Sequence, residues 1–79
     1  MGDVKEKVRT IIAEILDVPI EDVANDTAIG DIAAWDSLHH IQIIAAIENE
    51  FGFRFTPDVM MDLEDVEDIV NATKERANK

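Results

Sequence analysis

The chain has 79 residues, 47% hydrophobic and 32% charged, with three glycines, two prolines and no cysteine. That composition describes one small globular domain over residues 1–79 and excludes a low-complexity chain, a disulfide framework and a thiolate metal site. The formal net charge is −11, and between residues 10 and 73 fifteen acids stand against one base, Arg54. Such a field repels nucleic acid and draws in basic surfaces on other proteins. No apolar run approaches the roughly 20 residues of a membrane span. The opening Met1-Gly2-Asp3-Val4-Lys5-Glu6 is too polar for a secretory signal, so the expected location is cytoplasmic.

The elements follow in chain order. Asp3 with Glu6 makes a capping-box pattern, and Val4, Val8, Ile11, Ile12 and Ile15 repeat at helical spacing behind it, predicting a first helix over about residues 4–16. Val18-Pro19 ends it, because the residue before proline is pushed out of the α region. A long connection runs from Asp17 to Trp35. Within it, residues 19–23 suit a single turn, and Ile20, Val23, Ile29, Ile32 and Trp35 are spaced to pin the loop onto the body. A second helix is expected from Asp36 to Phe51, closed by Gly52, which tolerates the left-handed conformation past a helix end. Thr56-Pro57 opens a short helix towards Met61, and Asp65 with Asp68 precedes Val66, Ile69, Val70 and Thr73 on one helical face. The fold class is all-α: a small four-helix bundle of three principal helices and one short one. Its expected interior is Ile11, Ile15, Ile41, Ile44, Ile47, Val66, Ile69 and Val70.

The chemistry gathers at Trp35-Asp36-Ser37-Leu38-His39-His40. Ser37 follows an acidic N-cap and opens an apolar helix, where unpaired backbone N–H groups and the helix dipole favour a negative group. On a wheel advancing about 100° per residue, Ile41, Ile44 and Phe51 fall within about 40° of Ser37, which places the hydroxyl at the edge of the buried stripe. The opposite face carries Leu38, Gln42, Ala45, Ala46 and Asn49, an apolar strip rimmed by acids that reads as a docking surface.

The whole chain resembles the acyl carrier proteins. Asp36-Ser37-Leu38 matches their Asp-Ser-Leu attachment motif, residues 24–31 look like their loop, Glu48 to Phe53 like the end of their second helix, and residues 55–57 and 63–70 like their third and fourth helices. The resemblance implies that Ser37 carries 4′-phosphopantetheine through a phosphodiester, with Asp36 and Leu38 completing the site and Asp36 helping to position the coenzyme. It implies a phosphopantetheinyl transferase as one partner, and as others acyl-loading and acyl-processing enzymes with basic docking patches. The arm would bring the sulfur that this cysteine-free chain lacks. Further arm or partner contacts are expected at Trp35, His39, His40, Gln42, Ala45, Glu48 and Asn49. No nucleic acid, membrane span or resident metal is expected, and the chain is expected to be a monomer. It departs from the family in carrying His39 and Gln42 where housekeeping fatty-acid carriers place acids, and in having Trp35 directly before the motif. Both features point to a specialised carrier with its own partners, serving lipid, fatty-acid or polyketide synthesis.

Competing readings are an aminoacyl or peptidyl carrier and an acidic helical adaptor with no prosthetic group. A Ser37–His40 nucleophile pair lacks the strand–elbow–helix context, an orienting acid and an oxyanion loop, so the chain is read as a non-enzyme. His40 is expected to close the mouth of the bundle and, when protonated, to meet the phosphate. An EF-hand with Gly30 at its sixth position fails because Ile29 has no side-chain oxygen to offer.

Overall fold

The computed structural model describes residues 4–77. Four helices make the body: α1 (Val4–Leu16), α2 (Ser37–Phe51), α3 (Pro57–Asp62) and α4 (Val66–Ala77), with a single 3₁₀ turn at Ile20–Asp22 between α1 and α2. Among the described residues there is no β-strand, only two isolated bridges, Ala28 with Asp65 and Ile29 with Ile32. The expected capping role of Asp3 lies outside the described residues.

Local chemistry accounts for each helix end. Asp36 caps α2 by accepting the His39 N–H at 2.9 Å. Gly52 closes the helix at φ 75° and ψ 35° and donates its N–H to the Glu48 carbonyl. Thr56 caps α3 ahead of Pro57 at its first position, where the absent N–H costs nothing. Asp65 accepts the Asp68 N–H at 2.8 Å, which begins α4. Asp17 ends α1 at φ 58°, a left-handed position where a short polar side chain stands in for glycine.

α1 packs against both α2 and α4. Its contribution to the core is Val8, Ile12 and Leu16, one residue per turn, with Ala13 beside them. Against these lie Ile43, Ile44 and Ile47 of α2 and Val66, Ile69 and Val70 of α4. Val23, Trp35, Phe55 and Leu63 complete the interior from the connections. The buried Thr73 hydroxyl donates to the Ile69 carbonyl at 2.7 Å, so its polar atom is not left unpaired.

The interior differs from expectation in three places. Ile41 is 59% exposed, and Ile43, two residues further on, is fully buried. Ile11 and Ile15 are only partly buried, flanking the Val8–Ile12–Leu16 row. In the long connection Val23 and Trp35 are buried and Ile20 and Ile32 pack on the core, but Ile29 lies at the surface. Backbone bonding holds that stretch instead: the Ile29 N–H donates to the Glu64 carbonyl at 2.9 Å. Arg9 of α1 secures the other half, donating from Nε to the Val23 carbonyl at 2.6 Å and from Nη2 to the Ile20 carbonyl at 3.1 Å.

Candidate functional site

The chain enters α2 through two tight turns. The Trp35 N–H donates to the Ile32 carbonyl at 2.8 Å, and the Gly30 N–H donates to the Trp35 carbonyl at 3.0 Å. Gly30 sits at φ 94°, outside the range other residues adopt without strain. These turns deliver Asp36 in an extended conformation and Ser37 as the first residue of α2, with its side chain exposed.

Asp36 is held from one side. Its Oδ1 accepts both the backbone N–H of His39 and the His39 Nδ1–H, the latter at 2.8 Å. The His39 backbone N–H, followed by the His39 side chain, keeps the Asp36 carboxyl below the usual carboxylate range. The capping bond uses one of the free amides of the first turn. The amides of Ser37 and Leu38 precede any possible partner inside the helix, so the positive end of α2 faces whatever is placed on the Ser37 hydroxyl.

Trp35 lies behind the site, not in its mouth. Its ring is only 1% exposed, and its indole Nε1–H donates to His40 Nδ1 at 3.0 Å, with the two rings stacked at a centroid distance of 6.0 Å. Burial pushes the His40 imidazole below the usual histidine range, and the backbone carbonyl of Leu63, its other polar neighbour, pulls the other way. Burial therefore works against the expected meeting of a protonated His40 with a phosphate on Ser37, and in the neutral ring Nδ1 is already engaged by Trp35.

The remaining expected contacts divide into two groups. Leu38 is 62% exposed, and Gln42 and Ala45 are exposed on the same side of α2. Ala45, Glu48 and Asn49 line a shallow groove together with Phe53 and Arg54. Within it Glu48 is partly committed to the fold, since its Oε2 accepts the Phe55 N–H at 2.8 Å. Sequence reasoning did not single out Ile41, Met61 (82% exposed) or the placing of Arg54 in this groove. Ile41 stands between His40 and Gln42, and those neighbours were the available signal of exposure.

The start of α2 presents an accessible hydroxyl on the opening turn of a capped helix, carried by a compact acidic bundle. The sequence matches the family described as phosphopantetheine attachment site over residues 6–73. It is also 34% identical to an acyl carrier protein of Phenylobacterium zucineum over 76 residues, which is 96% of each chain. It is 32% identical to one of Caulobacter vibrioides over 96% of this chain and 97% of the other, and 33% identical to one of Petrotoga mobilis over 92% and 86%. The chain belongs to the acyl carrier protein family. Its prosthetic group is 4′-phosphopantetheine, and it is a carrier, not an enzyme. The residues present fit such a group, because the α2 start offers a solvent-facing hydroxyl and unpaired helix-end amides. Among the described residues no helix is long and apolar enough to cross a membrane.

Proposed function

We propose that Ser37 is the attachment residue and that the chain, one carrier domain over residues 1–79, presents acyl intermediates to partner enzymes. In the attachment step Ser37 Oγ forms a phosphodiester with the pantetheine phosphate of coenzyme A as the nucleotide bisphosphate leaves and the hydroxyl proton departs. When bound, the arm supplies a terminal thiol that holds acyl groups as thioesters. The single observation that carries the reading is the exposed Ser37 at the first position of α2, capped by Asp36. Asp36 fixes the helix start and keeps its charge on the His39 side, while Leu38 presents an apolar contact beside the serine.

The partners are a phosphopantetheinyl transferase and acyl-loading and acyl-processing enzymes. The acidic segment attracts their basic patches. The first two turns of α2 then offer Leu38, His39, Ile41 and Gln42, none of them acidic. This combination supports a specialised carrier of lipid, fatty-acid or polyketide synthesis, distinguished from general carriers by apolar contacts at the docking helix.

The test is intact mass after incubation with coenzyme A and a broad-specificity transferase. The wild-type chain gains one phosphopantetheine, and Ser37→Ala gains none while keeping its helical circular dichroism. A wild-type chain that gains nothing, or a Ser37→Ala chain that is still loaded, refutes the proposal. The thioester recovered on the protein from its own cells then identifies the cargo, and an aminoacyl group there overturns the acyl assignment.

A further inference from the structure

We propose that His40 is a proton-operated latch that ties the first turn of α2 to Trp35. The indole N–H of Trp35 lies in a ring that is 1% exposed, and the acceptor it finds is His40 Nδ1. That bond exists only while Nδ1 carries no proton. A second proton on the imidazole turns the acceptor into a donor and sets N–H against N–H across a part-buried contact. An unpaired buried donor is costly, so the stacked pair has to part. On its other side the ring faces the Leu63 carbonyl. Neutral His40 thus ties the first turn of α2 to Trp35, five residues earlier at the end of the long connection, with the Leu63 carbonyl as its other polar neighbour.

The surroundings do not offset a charge on the ring. The titratable groups on the segments beside the ring are Asp31 and Asp36 before it, His39 and Glu48 on its own helix, and Asp62, Glu64 and Asp65 flanking Leu63. Asp31 accepts the Ala28 N–H, the His39 ring is turned to Asp36, and Asp65 accepts the Asp68 N–H. Among the described residues no ion pair reaches His40. Burial disfavours the charged ring in the folded state relative to the ordinary value of 6.5. The unfolded chain therefore binds this proton more readily. The stability held by the neutral latch is complete above about pH 6.5 and declines as the pH falls from there through the lowered folded value.

Ser37 lies three residues before His40 on the same helix. Release of the latch consequently alters how that hydroxyl is offered, a consequence that rests on Ser37 being the attachment residue. Trp35 is the chain's one tryptophan and reports the latch directly. In the full chain, the Trp35 indole N–H resonance is followed from about pH 8 to about pH 5 alongside both imidazole signals. The expected result is an indole shift with the midpoint of His40, matched by a change in tryptophan emission. The shift is lost in His40→Gln and kept in His39→Gln. An indole signal that stays put while His40 titrates, or a transition that survives in His40→Gln, overturns the latch; if His40→Gln does not fold, the wild-type resonances decide alone. For the consequence at Ser37, the ratio of wild-type to His40→Gln arm-transfer rates with one transferase should fall through the same midpoint. A constant ratio removes that consequence. Absence of any mass gain refutes the Ser37 reading and leaves the indole result to judge the latch.

Discussion

Ile41 and Ile43 stand two residues apart on α2, one 59% exposed and the other fully buried. Replacing each by alanine removes the same three carbons and brings the same small gain in helix propensity, so the difference between the variants isolates burial. For Ile43 the lost transfer free energy is about 2.4 kcal/mol, at about 0.8 kcal/mol for each carbon. The cavity left against the core of α1 and α4 raises the cost to about 3–4 kcal/mol. A domain of this size holds about 4–10 kcal/mol in total, so Ile43→Ala should lower Tm by about 15–20 °C. Ile41→Ala should stay within about 0.5 kcal/mol of wild type. Urea unfolding followed by far-ultraviolet circular dichroism measures both. Equal losses, or a larger loss at Ile41, would refute the placement of the buried face of α2.

Three further outcomes follow from described contacts. The Asp36 carboxyl is held below its ordinary range by His39, so its stabilisation is complete above the unfolded value and is lost as the pH falls through the folded one. The stability gap between wild type and Asp36→Ala should therefore be flat near neutrality and close in acid. Arg9→Ala leaves the Ile20 and Val23 carbonyls without their guanidinium donor; a loss of about 2 kcal/mol is expected, with faster hydrogen exchange in the connection. Added salt should weaken association with a basic partner enzyme, whereas Ile41→Ala should weaken it at every salt concentration, as separate titrations by calorimetry would show.

Much of the fold was legible because helix ends are written in short-range chemistry. Asp36, Gly52 and Thr56-Pro57 each act within four residues, and the four helices begin and end close to where those signals place them. The buried face of α2 was legible only in part: Ile44 and Ile47 are buried as expected, but Ile41 is exposed and Ile43 takes its place. Ile41, Ile43, Ile44, Ala45, Ala46 and Ile47 put apolar side chains on most sides of the helix, so the period alone selects no stripe; the positions of α1 and α4 decide. At the site, Ser37 and its cap could be read from a motif, and their exposed setting on α2 agrees with that reading. The bond from Trp35 to His40 and that from Glu48 to Phe55 depend on side-chain direction, which spacing does not encode.

The long connection also serves as the opening clamp of α4. The carbonyls of Thr27 and Asn25 accept the N–H groups of Val66 and Glu67 at 2.9 and 3.0 Å, two of the amides that a helix start leaves without internal partners. The two halves of this clasp lie some forty residues apart in the chain, with α2 and α3 between them. Closing it therefore fixes a loop of about forty residues and carries the loop-closure entropy of that span. A proteolytic nick between Ala24 and Asp31 would unfasten a helix at the far end of the sequence while leaving every residue of that helix intact.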